Sequence, residues 1–114
     1  MKAKSMKNPV RFIGYDCDVV VLEYKSNQQK AIQLVIADTD YNRNRTDEIG
    51  GPMATATACI PGYQFASNET AIKDYSENAG ILDVLIEAGF VQKTGKTVRS
   101  GFADFPVVRI NTFH

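Results

Sequence analysis

Six consecutive residues, at positions 73–78, hold the densest set of chemical groups in this sequence. They are two carboxylates, a phenol, a hydroxyl, an amide and an ammonium, carried by Lys73, Asp74, Tyr75, Ser76, Glu77 and Asn78. Helical spacing of apolar residues begins just after them, so we expect this helix corner to lie at a helix N-terminus. Two interpretations follow. The corner is a recognition site, or it is a helix start in which Asp74 and Ser76 cap, Tyr75 packs and Asn78 bonds locally.

Acid–base catalysis is the reaction type that the helix corner could support. Asp74 and Glu77 are paired carboxylates, as a hydrolase would need. The one histidine of the sequence, His114, lies beyond the last predicted strand, which leaves no well-placed imidazole to activate a nucleophile. We therefore expect no catalytic residues, and favour a non-enzymatic protein over a hydrolase.

A second polar segment, residues 38–52, loses all hydrophobic periodicity and predicts a long exposed loop. It begins at Asp38 like the D-x-D-x-N opening of a calcium loop, but its sixth and twelfth positions lack the Gly and Glu that an EF-hand requires. We expect no metal site and no cofactor. Tyr41, Arg43 and Arg45 form a small aromatic and basic cluster in this loop, which suits contact with phosphate or an acidic partner, or is plain surface.

The charge balance excludes one broad class of partner. Thirteen basic and thirteen acidic side chains cancel, so nonspecific nucleic-acid binding loses its usual electrostatic term. Nucleic acid is therefore disfavoured, and any such site would have to be local. No apolar run approaches the roughly 18 residues of a membrane span, and no signal-peptide core follows the N-terminal lysines. These features predict a cytoplasmic protein without membrane contact.

Most of the remaining sequence predicts β-strands. They are expected at residues 10–13, 17–24, 30–37, 53–60, 70–73 and 105–110, with a hairpin over 91–99 that turns at Thr94-Gly95-Lys96. Pro106 restricts the last strand to an edge or to a strand start. Cys17 and Cys59 lie in apolar stretches and are interpreted as small buried hydrophobes. Phe102 and Phe105 are both expected in the core.

One helix is predicted, at about residues 77–88. Apolar residues recur every three or four positions over 81–88, which marks one buried stripe. Gly89 followed by Phe90 is typical of a Schellman end. Alternating alanines in the strand at 53–60 would let this helix approach the sheet closely.

These elements predict an α+β fold, with a single mostly antiparallel sheet of about five to seven strands and the one principal helix packed on one face. Residues 1–8 are polar and predict a disordered tail. Residues 9–114 are expected to form one α+β domain with the long loop at 38–52, as a monomer or a weak homodimer.

Four segments resemble a family of uncharacterised proteins of bacterial mobile elements and phages, a module that also occurs within large polyvalent proteins. They are IKDYSEN at 72–78, IEAGFV at 86–91, KTGKTVRSGF at 93–102 and FPVVRI at 105–110. The opening strands and ATATACIP are similar to the family as well. The chain departs from the family in its longer 38–52 segment and in Ala79, where Glu is common. The resemblance implies a biological setting, since no catalytic residue or ligand is established for the family.

Taken together, these features predict a non-enzymatic accessory protein of a phage or conjugative element that binds a host or element-encoded protein and modulates host defence. The expected binding residues are Asp74, Tyr75, Ser76, Glu77 and Asn78 in the helix corner, and Tyr41, Arg43 and Arg45 in the loop. The alternative is a small-ligand or nucleotide-binding protein that sequesters a signalling molecule through Tyr75, Asn78 and Arg43 or Arg45. A hydrolase using Asp74 and Glu77, and a DNA-binding protein, are less favoured.

Overall fold

Two antiparallel sheets and one main helix make up the protein. The computed structural model describes the backbone of residues 4–5 and all of residues 9–111. The first sheet contains β1 (Lys4–Ser5), β2 (Val10–Phe12), β3 (Tyr15–Glu23), β4 (Lys30–Ile36) and β5 (Pro52–Thr55). The second sheet contains β6 (Thr57–Ala58), β7 (Glu69–Ile72), β8 (Val91–Ser100) and β9 (Ala103–Ile110). The helices are α1 (Asp40–Arg43) and α2 (Ile81–Glu87), and a 3₁₀ turn covers Ser76–Asn78.

The α+β prediction is confirmed, with the strands divided over two sheets where the sequence predicted one. The first sheet has the order β1-β3-β4-β5, with β2 also paired to β3, and the second has the order β6-β7-β9-β8. Every strand pair in the described part of the chain is antiparallel. The predicted tail at residues 1–8 and the terminal His114 lie outside the described residues, except that Lys4–Ser5 pairs with β3.

The division between the sheets falls inside the predicted strand at 53–60. Its first half, β5, pairs with β4, and its second half, β6, pairs with β7. Ala56 lies between them: its N–H donates to the Ile32 carbonyl in the first sheet at 2.8 Å, and its own carbonyl accepts from the Lys73 N–H beside the second sheet at 2.8 Å. Side-chain alternation is the same in either sheet, so the sequence pattern carries no sign of this crossing.

The hydrophobic core has two parts. The larger part lies between the first sheet, α2 and one face of the second sheet. Ala56 is fully buried there, in the same cluster as the apolar residues of α2. The smaller part covers the other face of the second sheet and is formed by Ile60, Ala71, Val98, Phe105 and Val107.

The C-terminus of α2 confirms the predicted Schellman motif. The Phe90 N–H donates to the Leu85 carbonyl at 3.0 Å, and the Gly89 N–H donates to the Ile86 carbonyl at 3.0 Å. Gly89 has φ of 82°, which a residue without Cβ adopts at no steric cost. Phe90 is buried in the same cluster as Leu85, so the motif also closes the core. The helix itself is shorter than the predicted 77–88.

The predicted hairpin over residues 91–99 is wrong. Residues 91–100 form the single strand β8, and Thr94-Gly95-Lys96 is a bulge at which the pairing with β9 shifts register. The Thr94 hydroxyl donates to the Val107 carbonyl at 2.8 Å, which holds the bulge against β9. The turn lies instead at Gly101-Phe102, because Ser100 pairs with Ala103. A central Gly with positive φ serves a turn and a bulge equally well, so the tripeptide alone does not distinguish them.

Strand β9 is central rather than at an edge, which corrects the expectation from Pro106. It pairs with β8 on one side and with β7 on the other. The ladder to β7 runs over Val107, Val108 and Arg109 only, so Pro106 lies just beyond it. The missing N–H of proline therefore removes no bond from that ladder.

The two cysteines differ from each other. Both are free thiols. Cys17 is fully buried as predicted, and burial raises its pKa to about 11. Cys59 is only partly buried and accepts a hydrogen bond from the Asn27 side-chain amide at 3.3 Å, so the prediction of a buried hydrophobe is wrong for this residue.

Candidate functional site

Asp74 positions the start of α2. Its Oδ1 atom accepts from the N–H of Gly80 at 3.0 Å and from the N–H of Leu82 at 3.2 Å. These are backbone donors that a helix N-terminus leaves without partners. Asp74 therefore caps the helix as predicted, although it reaches across six residues to do so because the 3₁₀ turn intervenes. The carboxylate that the hydrolase hypothesis requires is bonded to two backbone amides.

Ser76 does not cap, which corrects one part of the structural interpretation. Tyr75 and Gly80 precede the 3₁₀ turn and α2 respectively, and neither N-cap position has a side-chain bond of its own. Ser76 has φ of 56°, in the left-handed region that a residue with a Cβ rarely adopts. Ser76 is the first residue of the 3₁₀ turn, so this conformation bends the chain where the turn begins. The residue is exposed.

Asn78 anchors the helix corner to the sheet crossing. The residue is buried, and its Nδ2 donates to the Thr55 carbonyl at 2.7 Å. Thr55 ends β5 immediately before Ala56 crosses between the sheets. The bond ties a buried side chain to the last residue of β5, so it stabilises the crossing. The amide nitrogen of Asn78 is thus used within the fold.

Lys73 and Glu77 form an exposed ion pair across the corner. The distance from Lys73 Nζ to Glu77 Oε2 is 2.9 Å. The bond from Lys73 holds the pKa of Glu77 below its ordinary value, and the same bond raises the pKa of Lys73. Both side chains are accessible to solvent, so the pair adds little stability. The pair places one positive and one negative charge beside Tyr75.

Tyr75 is the large aromatic side chain that the helix corner leaves exposed. It is 42% exposed. Its ring lies 6.0 Å from the ring of Phe105, and Lys73 Nζ lies 5.6 Å from its centre. The ring therefore forms one wall of a shallow groove of about 620 Å³. The other residues that line this groove are Ser100, Phe102, Ala103, Asp104 and Phe105.

The second predicted segment is more ordered than a long loop. Residues 40–43 form the single-turn helix α1, and Thr39 caps it by accepting from the Asn42 N–H at 3.1 Å. Asn42 is fully buried. Its side chain accepts from the Asp16 N–H at 3.0 Å and donates to the carbonyls of Asp16 and Ala37 at 2.7 and 2.8 Å. One asparagine thus joins the start of β3 to the residue that follows β4. No local pattern in the sequence distinguishes it from the exposed Asn44.

The charged residues of the α1 segment, residues 38–45, are paired within the segment or with β2 and β3. Arg43 contacts the carboxylates of Asp38 and Asp40, which raise its pKa. The guanidinium of Arg45 lies 3.5 Å from the centre of the Tyr41 ring. Arg11 of β2 lies 3.8 Å from the same centre. The Tyr41 ring is therefore covered by two cations.

Asp16 holds this arrangement together. It bonds Arg11 Nε at 2.8 Å and accepts from the Thr39 hydroxyl at 2.9 Å. The bond from Arg11 is the main cause that keeps the pKa of Asp16 below its ordinary value. The structure thus brings Tyr41, Arg43 and Arg45 together, with contacts inside the α1 segment and to Arg11 of β2. The contacts of the helix corner are instead with α2, β5 and β9.

Phe102 was expected in the core and is fully exposed instead, which corrects that prediction. It occupies the second position of the two-residue turn between β8 and β9. Phe105, expected in the core as well, is buried there. Ser100 and Gly101 before Phe102, and the alternation that resumes at Ala103, are the signal for a turn at this place.

Two further findings concern cofactors and membranes. Within the described part of the chain, no group of three or more His, Cys, Asp or Glu side chains could hold a metal ion. Asp38 and Asp40, which begin the calcium-like sequence, both contact Arg43. None of the helices among residues 9–111 is long and apolar enough to cross a membrane.

Comparison with known proteins leaves these surfaces as the main source of functional information. No family model matches the chain. No curated protein and no solved structure matches it either.

Proposed function

We propose that this chain is a non-enzymatic accessory protein of a phage or mobile genetic element and that it binds another protein through the helix corner at residues 73–78. The partner is a host or element-encoded protein, and the expected consequence is modulation of host defence. The resemblance of IKDYSEN and the neighbouring segments to mobile-element proteins supplies this setting.

The exposed ring of Tyr75 is the observation that carries the proposal. Asp74 caps α2 and Asn78 bonds Thr55, so these two polar groups already have partners inside the fold. Tyr75 keeps 42% of its surface accessible and forms the wall of a groove. Tyrosine is enriched among the residues that dominate protein–protein binding, because its ring buries apolar area while its hydroxyl remains able to bond.

The Lys73–Glu77 pair suits the rim of such an interface. Both charges are solvent accessible and lie beside Tyr75. Rim charges steer a partner and fix its orientation more than they add affinity. A protein that docks here would cover the tyrosine ring and face one positive and one negative group.

The experiment is an affinity capture from host lysate with three forms of the protein. They are the parent chain, the corner variant Tyr75→Ala/Glu77→Ala, and the control Asp83→Asn, which removes an exposed carboxylate from α2. We expect a partner that the parent and the control both retain and that the corner variant loses. Asp74 and Asn78 are left intact because their substitution would destabilise the fold.

Equal capture by the corner variant would exclude the helix corner as the interface. Unfolding temperatures of the three forms are measured in parallel, since a loss of binding counts only when the corner variant remains folded. The exposure of Tyr75 and Glu77 predicts little change in stability.

A further inference from the structure

Positive charge is concentrated in the β8–β9 hairpin, residues 91–110. The whole chain is neutral, but this hairpin holds four of its thirteen basic residues and a single acidic one. The basic residues are Lys93, Lys96, Arg99 and Arg109, and the acidic residue is Asp104. The neutral total therefore conceals a local excess of positive charge, which is the electrostatic condition for contact with a polyanion.

Two of these cations lie on one face of the hairpin. Lys93 is opposite Val108 and Arg99 is opposite Asp104. Positions 104 and 108 of β9 are an even number of residues apart, so their side chains and those of their partners are on the same side of the sheet. Val108 is buried in the larger core on this side, whereas Lys93 and Arg99 are exposed at the edge strand. Four residues of strand separate the two positions by about 13 Å. The cations thus form a row along β8, the outer strand of the second sheet.

Both cations are available to a ligand. Lys93 is exposed and makes no hydrogen bond or ion pair with any residue that the structure describes. Arg99 contacts Asp104 at 3.3 Å, with 66% and 58% of the two side chains exposed. Such an exposed pair exchanges readily for a stronger anion. Lys96 differs, because it neutralises the buried carboxylate of Glu69 at 2.8 Å and is needed by the fold.

An aromatic ring stands at the end of this row. Phe102 lies three positions after Arg99, at the tip of the hairpin, and none of its side chain is covered. A phenyl ring with free faces stacks on nucleic-acid bases. Bases offer free faces in single strands and not within a paired duplex, where neighbouring pairs cover them.

We propose that the exposed edge of the β8–β9 hairpin, formed by the outer strand β8 and the hairpin tip, binds single-stranded nucleic acid. Lys93 and Arg99 contact successive stretches of the phosphate backbone, and Phe102 stacks on a base at the hairpin tip. This site goes beyond the proposed protein interface, and its two diagnostic residues, Lys93 and Phe102, lie outside the helix corner. An acidic protein would also complement the positive charge. The two classes of partner are distinguished by the phenyl ring, because only nucleic-acid bases would stack on it.

The test is a fluorescence anisotropy titration, in which the protein is added to a labelled oligothymidylate of about fifteen nucleotides at several salt concentrations. We expect saturable binding that weakens as salt rises. The variant Phe102→Ala should weaken binding about 5- to 150-fold at every salt concentration, which is the usual effect of losing one stacked base. The variant Lys93→Ala should reduce the slope of log K against log salt by about 0.7, the value for one phosphate contact on a single strand.

Matched controls separate a site from general charge and apolarity. Lys25→Ala removes an exposed cation from the turn between β3 and β4, and Ile13→Asn removes an exposed apolar side chain from the turn between β2 and β3. Each control should change the affinity and the slope of log K against log salt by only a small fraction of the change expected for the hairpin variants. All four substitutions are at exposed positions, and thermal unfolding verifies that each variant is folded.

Several outcomes would overturn the proposal. One is the absence of saturable binding up to about 100 µM protein in ~50 mM salt, the weak end of ordinary nonspecific affinity. Another is equal loss of affinity in Lys25→Ala and Lys93→Ala. A third is equal binding of poly-glutamate with no effect of Phe102→Ala, which would indicate an acidic protein partner. Phe102 also lines the groove beside Tyr75. The protein-binding proposal is therefore tested separately with Tyr75→Ala/Glu77→Ala, which leaves Lys93 and Phe102 in place.

Discussion

The helix corner and the α1 segment are built in the same way and end with different surfaces. In each, an oxygen-bearing side chain caps a helix, and a buried asparagine bonds a backbone carbonyl of the neighbouring sheet. Asp74 and Asn78 do this in the corner, and Thr39 and Asn42 do it in the α1 segment. Each segment also carries one tyrosine near the asparagine.

The tyrosines differ in what covers them. Two guanidinium groups lie on the ring of Tyr41, at 3.8 and 3.5 Å from its centre. Tyr75 has one ammonium at 5.6 Å and a distant ring contact, and remains 42% exposed. The two segments are therefore built alike, but the protein's own cations cover the Tyr41 ring while the Tyr75 ring is exposed to solvent. The difference favours the corner over the α1 segment as a binding surface.

The largest effect is expected from removing the two asparagines. Asn42→Ala leaves the Asp16 N–H without its partner and takes one of two donors from each of the carbonyls of Asp16 and Ala37, which keep their backbone bonds. Because Asn42 is fully buried, this should lower the free energy of unfolding by about 2.5 kcal/mol. Asn78→Ala leaves only the Thr55 carbonyl without its side-chain partner. It should lower the free energy of unfolding by about 1.5 kcal/mol. Urea denaturation of the parent and both variants measures the two values. Equal losses would show that the two segments are anchored to the same degree. Asn44→Ala, at an exposed neighbour of Asn42, is the control and should change stability little.

A smaller effect is expected from removing the caps. Asp74→Ala should destabilise by about 1 kcal/mol because two helix N–H groups lose their acceptor, and Thr39→Ala by somewhat less because one does. Asp74→Asn retains an oxygen acceptor and should recover most of the loss. If Asp74→Asn and Asp74→Ala were equally destabilised, the carboxylate would act through its charge on the helix and not as a hydrogen-bond acceptor. Thermal unfolding of the three variants distinguishes these cases.

The smallest effect is the pH dependence that Asp16 of β3 adds beside the α1 segment. Because the folded pKa of Asp16 is depressed, its contribution to stability is present above about 3.9, the ordinary value of an Asp carboxyl, and is lost as pH falls through the lower folded value. Protonation also weakens the hold on Arg11, one of the two cations that cover the Tyr41 ring. The variant Asp16→Asn should be less stable than the parent at neutral pH, and this difference should shrink in acid. A difference that is constant with pH would contradict the assigned role of Asp16.

Local features were the ones that the sequence could predict. The Gly89-Phe90 end of α2, the capping role of Asp74 and most strands are encoded within a few neighbouring residues, so pattern and capping rules find them. The crossing at Ala56 depends on partners in β4 and after β7, tens of residues away in the chain. No rule that examines a window of sequence contains that information.

The candidate sites show the same limit. The sequence identified the helix corner as rich in polar groups, but not that Asp74 and Asn78 would be bonded within the fold and leave Tyr75 exposed. The exposure of Phe102 was missed because Thr94-Gly95-Lys96 was interpreted as the turn, which displaced the true hairpin tip by several residues. An error of local geometry thus placed an exposed aromatic ring in the core.

The two backbone hydrogen bonds of Ala56 make it possible to measure whether the two sheets unfold cooperatively. The Ala56 amide hydrogen is held by the first sheet through Ile32, and the Lys73 amide hydrogen is held by the Ala56 carbonyl beside the second sheet. In amide hydrogen exchange, each of these hydrogens becomes exchangeable when its own bond opens. Two sheets that unfold as one unit give both hydrogens the same opening free energy, whereas sheets that open separately give them different ones. One residue therefore joins the two halves of the fold.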